Sequence, residues 1–389
     1  MASSKLFSNL SISALLALAA CGSTSTTNPD SGMTGADAGY DAGPNPLAIT
    51  GLQTETWTWV PIPGAICRDS SATGIGVSIN PASDKLMIFL EGGGACYDVA
   101  TCLENPYEYG PTDFAGYFSG SGGPEGGSGI FNRTDPNNPV ADWNMVYIPY
   151  CTGDVHAGNN DAGMVLGAGA QQFMGYVNVG LDLSHVLPTF PNVSEVLLTG
   201  ASAGGFGAAL NYDRVQAAFG NVPVELLDDS GPPMSSQYLA TCQQTTVETT
   251  WNLGATIVPD CGADCPDLTN FFMPYMQHIA KTHPNRALGI LDSDNDAVIS
   301  DFYGYGYFDC SADGDPMPPA IYEEGLLDLR AEMASYPNFG LYTWNSSQHT
   351  SLEGTATFDD LDAGISLPVW TAQIVDGGVT NVGPGPDAG

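Results

Sequence analysis

The chain has 389 residues, with 8 Lys+Arg against 43 Asp+Glu and a formal charge of −35. Nucleic acid and anionic membrane surfaces would repel such a chain, which excludes both as partners, and a polyanionic substrate is disfavoured for the same reason. At 43% hydrophobic residues it can still bury a sizeable core, and its length suits one large α/β domain or two smaller ones.

Lys5 opens a targeting segment. Leu10 to Ala20 is apolar but too short to span a bilayer as a helix. The run ends Leu18-Ala19-Ala20-Cys21-Gly22, which resembles a bacterial lipobox. Residues 1–20 are therefore expected to be a lipoprotein signal peptide, with Cys21 the lipidated first residue of the mature chain. Gly22 and Ser23 stand where an aspartate would favour inner-membrane retention, so the expected location is extracytoplasmic, at the outer membrane or cell surface. The lipid would be the only membrane attachment. Residues 21–46 are rich in Ser, Thr, Gly, Asp, Ala and Pro and read as a disordered tether. The folded domain is expected over 47–375, followed by a flexible tail at 376–389.

Within that domain, Thr54–Val60 alternates with a period of two and reads as an edge strand, and Gly74–Ile79 as a second strand. Lys85–Leu90 is a near-continuous apolar run of strand length, as expected of a strand buried on both faces. Glu91-Gly92-Gly93-Gly94-Ala95-Cys96 follows at once, and three glycines after a buried strand allow free amides to face a ligand. The Gly/Pro/Tyr-rich stretch from Cys102 to about Asn138 has few apolar runs and reads as a surface excursion. Trp143–Pro149 is the next buried strand. Its end carries Asp154 and His156 in a loop, where either could touch substrate or simply order the loop. A helix is expected over 167–187.

The next segment is the centre of the reading. Val196-Leu197-Leu198-Thr199 has strand character, Gly200-Ala201-Ser202-Ala203-Gly204-Gly205 follows, and residues 206–212 can open a helix. Gly-x-Ser-x-Gly between strand and helix is the signature of a nucleophile elbow, with the Ser202 oxygen lifted above the sheet edge. The amide of Ala203 would point where an oxyanion forms.

Beyond the elbow, 222–227 reads as a strand ending in Asp228-Asp229. Residues 234–285 read as a partly helical insertion or lid with an aromatic run at 271–276. Residues 286–291 form a strand with Asp292, Asp294 and Asp296 at its end, 319–334 a helix, and 339–344 the last strand, followed by His349. Alternating strands and helices imply a mainly parallel sheet with covered faces and ligands at the carboxyl ends of its strands. The fold class is thus α/β, of the α/β-hydrolase-like kind with a lid-like insertion. Of the five histidines only His349 follows the last strand, so it is the candidate general base. The acid is open among Asp296, Asp292, Asp294, Asp228 and Asp229. The Asp292-x-Asp294-x-Asp296 spacing is similar to the start of an EF-hand loop, but Ala297 and Tyr303 stand where the glycine and bidentate glutamate belong; calcium stays a minor alternative.

Besides Cys21 there are eight cysteines, an even number that suggests a disulfide framework in an exported chain. Zinc at Cys261-x-x-x-Cys265 is the alternative, and no second pair of matching spacing lies nearby.

Together, Phe89-Leu90-Glu91-Gly92-Gly93-Gly94-Ala95-Cys96, Tyr150-Cys151-Thr152-Gly153-Asp154, Gly200–Gly205 and Asp228-Asp229-Ser230-Gly231 resemble the pectin acetylesterase / Notum family over about residues 55–355. The resemblance implies a serine carboxylesterase with Ser202 as nucleophile, Asp296 as acid and His349 as base. It implies oxyanion donors from Gly93, Gly94 and Ala203, and disulfides Cys67–Cys151 and Cys96–Cys102. Ala95 stands where plant members carry tryptophan, and the 234–285 segment matches poorly. The expected reaction is removal of acetyl groups from an extracellular glycan or small ester through an acyl-enzyme, with no metal or organic cofactor. The charge favours neutral glycans over acidic pectin. Removal of a longer acyl chain, as in animal members, and a non-catalytic binding lipoprotein on a hydrolase scaffold are the alternatives.

Overall fold

The computed structural model describes residues 47–119, 129–267, 269–311, 315–353 and 358–384. The expected signal peptide, Cys21, the tether and residues 385–389 lie outside these. Ten strands are described: β1 (Thr58–Ile66), β2 (Ala72–Ser78), β3 (Lys85–Leu90), β4 (Asn144–Ile148), β5 (Asn160–Val165), β6 (Gly169–Phe173), β7 (Glu195–Ala201), β8 (Val224–Asp229), β9 (Leu288–Ser293) and β10 (Phe339–Trp344). The described α-helices are α1 (Val99–Glu104), α2 (Pro111–Ser119), α3 (Gly175–Thr189), α4 (Ala203–Leu210), α5 (Tyr212–Phe219), α6 (Thr241–Trp251), α7 (Ile257–Cys261), α8 (Phe272–Thr282), α9 (Ala297–Tyr307), α10 (Pro319–Glu332) and α11 (Leu367–Val375).

Eight strands form one sheet in the order β1-β2-β4-β3-β7-β8-β9-β10. The β1–β2 and β2–β4 pairs are antiparallel and every other pair is parallel. This is the α/β-hydrolase-like arrangement. The continuous hydrophobicity of β3 follows from its central place: Leu86, Ile88 and Leu90 enter the core that holds the apolar sides of α3, α5 and α8, while Met87 and Phe89 face a second core on the opposite side. Because side chains alternate along a strand, one run of six apolar residues serves both.

Several expectations are corrected. The first strand runs from Thr58, not Thr54, because its register is set by pairing Thr58 with Val77; Thr54 makes only a bridge to Ile79. Residues 167–187 are not one helix. The β5–β6 hairpin turns through Gly167 and Gly169, both at positive φ, and α3 begins at Gly175.

The stretch after Cys102 is not a surface excursion. Phe114, Phe118, Ile130 and Phe131 are buried against Phe89 and Tyr147 and cover one face of the sheet. Those residues come singly or, as Ile130-Phe131, in a pair, so no apolar run of strand length announces them. The segment from 376 is not a free tail over its described part: Thr343 donates to the Val382 carbonyl (3.1 Å), and Val382 donates to Leu341 (2.9 Å). An unpaired edge strand offers these groups to any extended segment, and here the chain itself takes them. Helices α9 and α11 were not anticipated. Within 234–285, α8 buries Phe272, Met273, Tyr275, Met276 and Ile279 in the main core, so this part is packed structure.

Four disulfides are present: Cys67–Cys151, Cys96–Cys102, Cys242–Cys310 and Cys261–Cys265. Cys261 and Cys265 are thereby removed from any zinc site. Among the described residues no helix is long and apolar enough to cross a membrane.

Candidate active site

Strand β7 delivers Ser202 at its carboxyl end, between Ala201 and the first residue of α4. The serine sits at φ 58°, ψ −123°, a conformation that costs on the order of 1–3 kcal/mol for a residue with a side chain. Surrounding contacts hold it there. The Ser202 amide donates to the Asp229 carbonyl at 2.7 Å, extending the β7–β8 pairing through the turn. The loop after β3 passes so close that a Cβ at Gly92 would lie 2.8 Å from that of Ser202. Glycine is required there by space.

The amides of that glycine loop are aimed by its carbonyls. Asn105 Nδ2 donates to the Gly93 carbonyl (2.6 Å), and the Tyr150 hydroxyl donates to the Gly94 carbonyl (2.9 Å). In a trans peptide the next N–H points opposite to the carbonyl. Each bond therefore turns an amide, of Gly94 and of Ala95, away from its pin. Ala203 opens α4, where first-turn amides have no intrahelical acceptor. Gly94 and Ala203 line one cavity with Ser202.

Further back, the buried guanidinium of Arg68 donates to the carbonyls of Cys102 (2.9 Å) and Asn105 (2.6 Å) and to Gln171 (2.9 Å). Cys96–Cys102 closes the same loop, and Cys67–Cys151 ties the residue before Arg68 to the loop after β4. Sequence reasoning missed Asn105 and Arg68, and it gave Tyr150 no role of its own although that residue opens the Tyr150–Asp154 motif; the partners of all three lie far along the chain.

His349 follows β10. Its Nδ1 lies 2.7 Å from Asp296 Oδ2. The other oxygen, Asp296 Oδ1, accepts from the amides of Val298 and Ile299 at 2.8 Å each, as the N-cap of α9. The cap fixes the carboxylate and leaves one oxygen for the ring, so the second imidazole nitrogen is the one available to the cavity that His349 and Ser202 share.

The rival acids lie elsewhere. Asp292 is buried and accepts from the Tyr322 hydroxyl, Asp228 is buried beside the elbow glycines, and Asp294 is half-buried. Asp229 accepts from the amides of Ser351 (2.8 Å) and Leu352 (2.7 Å), which stitches the turn after His349 to β8.

Asp154 and His156 are engaged in ordering their loop. Asp154 accepts from the Thr152 hydroxyl and the Gly175 amide. His156 Nε2 lies 2.9 Å from the Glu91 carbonyl and therefore carries its proton there. Burial pushes the His156 imidazole down to about 4, so it stays neutral.

Ser202 stands between two cavities. One is narrow and apolar, with about 60 Å³ open to the centre of a water-sized sphere, and is walled by Val155, Phe206, Val247, Trp251, Phe272 and Phe302 among others. The other is wider, about 340 Å³, and is lined by Glu91, Gly92–Gly94, Tyr117, His349, Thr350 and Glu353. Burial, opposed by the Tyr150 amide, pushes the Glu91 carboxyl up to about 8. Burial also raises Glu353, opposed by its bond from Tyr117. The arrangement suits attack by a serine oxygen on a carbonyl whose acyl part enters the apolar cavity and whose leaving group departs through the polar one. Among the described residues no group of three or more His, Cys, Asp or Glu is placed to hold a metal ion.

Comparison with known proteins gives a consistent picture. A family model described as Pectinacetylesterase matches residues 53–269. Palmitoleoyl-protein carboxylesterase notum2 of Xenopus laevis is 32% identical over 182 residues, which cover 44% of this chain and 35% of that protein. The NOTUM palmitoleoyl-protein carboxylesterase of Mus musculus is 32% identical over 173 residues, 43% of this chain and 31% of that one. The chain thus spans about a third of the length of the curated relatives it matches. In structure it is similar to the Wnt deacylase Notum from Drosophila, with a TM-score of 0.57 at 20% identity over 84% of this chain and 95% of that one; at that identity the likeness speaks to the fold.

Proposed function

Because the chain belongs to the pectinacetylesterase family, we propose that it is a serine carboxylic-ester hydrolase acting through an acyl-enzyme. Ser202 is the nucleophile, His349 the general base and Asp296 the acid that orients it. The observation that carries this reading is the His349–Asp296 contact at 2.7 Å, next to a strained serine on the shared cavity. His349 takes the proton of Ser202 during attack and returns it to the leaving alcohol, then activates water to release the acid. The oxyanion that develops is held by the amides of Ala203 and of the glycine loop from Gly93 to Ala95. No step calls for a cofactor.

The acyl group is short. A water position needs about 10–15 Å³, so the apolar cavity offers roughly four to six such positions, room for an acyl chain on the order of two to four carbons. Acetyl is the first assignment. A second reading, a longer chain, draws on the apolar lining of that cavity, which includes Phe272 of the aromatic run. The working location is extracytoplasmic, supported by four disulfides, which persist in oxidising compartments. Attachment through Cys21 is part of the same proposal.

The test is fluorophosphonate labelling of the oxidised protein beside Ser202→Ala and His349→Ala, with hydrolysis of p-nitrophenyl acetate, butyrate and palmitate in parallel. The expected result is labelling lost in Ser202→Ala and turnover that falls as the chain lengthens. Preference for palmitate would favour the second reading. A folded wild type that neither labels nor turns over any ester would refute the enzyme and leave a binding protein on a hydrolase scaffold.

A further inference from the structure

The wider cavity beside Ser202 carries information that the triad does not use. Among the described residues, its only charge-bearing side chains besides His349 are two glutamates, Glu91 and Glu353. Glu91 is held from behind, its Oε2 accepting from the Tyr150 amide at 2.8 Å. Glu353 accepts from the Tyr117 hydroxyl, a bond that joins the loop after β10 to α2 and fixes the carboxyl at the cavity wall. The charge of Glu353 raises the proton affinity of Glu91, and at Glu353 the negative field of Asp229 is opposed by His349.

Among the described residues no lysine or arginine offsets them: Arg68, Lys85, Arg133, Arg214, Lys281, Arg286 and Arg330 line neither cavity at Ser202. Recognition of a carboxylate calls for a guanidinium or ammonium. A wall of carboxyl oxygens and glycine backbone instead suits hydroxyl donors.

We propose that Glu353, fixed by Tyr117, is a specificity-determining residue that restricts the alcohol half of the ester to uncharged, hydroxyl-bearing groups such as a neutral sugar and excludes those bearing a carboxylate. The inference rests on the esterase reading for its catalytic meaning, while the discrimination itself is a property of binding. A substrate carboxylate several ångströms from Glu353 in a partly screened cavity is disfavoured by about tenfold.

The experiment compares acetylated xylo-oligosaccharides with acetylated oligogalacturonides of equal length at pH 8.5, by kcat/KM in the wild type and by calorimetric binding in Ser202→Ala. The expected result is a preference of about tenfold or more for the neutral series in both readouts. Adding Glu353→Gln should narrow the ratio by about tenfold, through gain on the acidic series. A ratio unchanged in folded Glu353→Gln, or a wild type that favours the galacturonides, overturns the proposal. Should Glu353→Gln fail to fold, Tyr117→Phe frees the same carboxyl and should narrow the ratio about threefold; no change there overturns it equally. A wild type inert toward p-nitrophenyl acetate would refute the esterase reading alone, and the binding series would still decide: equal or undetectable binding of both series overturns the proposal.

Discussion

The two cavities that meet at Ser202 are built from different materials. The narrow one is walled by α6, α9 and the start of α4, with Val247, Trp251 and Phe302 turned inward, and the Cys242–Cys310 disulfide ties α6 to the segment just after α9. The open one is walled by loops after β3 and β10 and by Tyr117, and its chemistry is carboxyl and peptide. The difference teaches how each side can choose. An apolar wall discriminates by volume, and one methylene is worth only about 10–200-fold. A wall of buried polar groups discriminates by what it leaves unpaired, and that sets a steeper penalty.

The largest expected effect falls on Asp296, which orients the His349 that serves both sides. Asp296→Asn keeps an N-cap for α9, since asparagine caps as well as aspartate, yet should lower kcat on the order of 10⁴-fold with every ester. Initial rates across acyl and alcohol series check this; a loss confined to one series would break the picture of a common centre between two sides. Next, Trp251→Ala opens the apolar side alone. The ratio of kcat/KM for octanoate over acetate should rise by on the order of tenfold or more, with a stability cost of about 3–5 kcal/mol in denaturant unfolding. Smaller still, Tyr150→Phe removes the hydroxyl that pins the Gly94 carbonyl and accepts from the Val155 amide. Here kcat should fall about tenfold with KM little changed, since the loss is felt where the oxyanion develops.

The smallest effect is on stability and belongs to the polar side. Glu91, with its carboxyl near 8, Glu225 near 7, and Asp154 and Asp229 near 6 all hold protons more tightly folded than unfolded. The folded state therefore binds the extra protons, and stability falls as pH rises from the unfolded carboxyl range to about 8. His156 works the other way, but only as pH drops from 6.5 toward 4. Thermal melts should thus give a higher Tm at pH 6.5 than at pH 8.5, by a few degrees. Glu91→Gln should shrink that difference; an unchanged difference would show that Glu91 is not the group responsible.

What could be read from the chain was local or ordinal. The elbow lies in six consecutive residues, β3 in six more, and His349 stands out simply by coming after the last strand. Which acid meets His349 was harder, because Asp292, Asp294 and Asp296 follow one another at a spacing of two. The choice is made by the backbone: the chain turns into α9 at Ala297, so Asp296 becomes an N-cap with one oxygen to spare, while Asp292 is drawn to Tyr322. An aspartate just before Ala-Val-Ile-Ser is an N-cap signal that was there to be used. Asn105 had no such signal, and the motif that Tyr150 opens does not tell what its hydroxyl holds. Their bonds span 12 and 56 residues and go to carbonyls, which any sequence possesses. The β5–β6 hairpin hides where a helix is expected, although Gly167 and Gly169, both at positive φ in its turn, are poor helix formers.

Arg68 sets a limit on how such a composition can change over generations. A chain drifting toward acid can shed exposed cations such as Lys85 or Lys281 singly, each for the loss of a surface ion pair worth about 0–1 kcal/mol. At position 68 the drift meets a floor. The planar fork reaches two carbonyls and an amide oxygen from one buried point, a geometry that lysine lacks. Any residue without it would leave the Cys102 and Asn105 carbonyls unpartnered beneath the glycine loop. However acidic its descendants become, Arg68 is a cation they should keep, because that loop is hung on it.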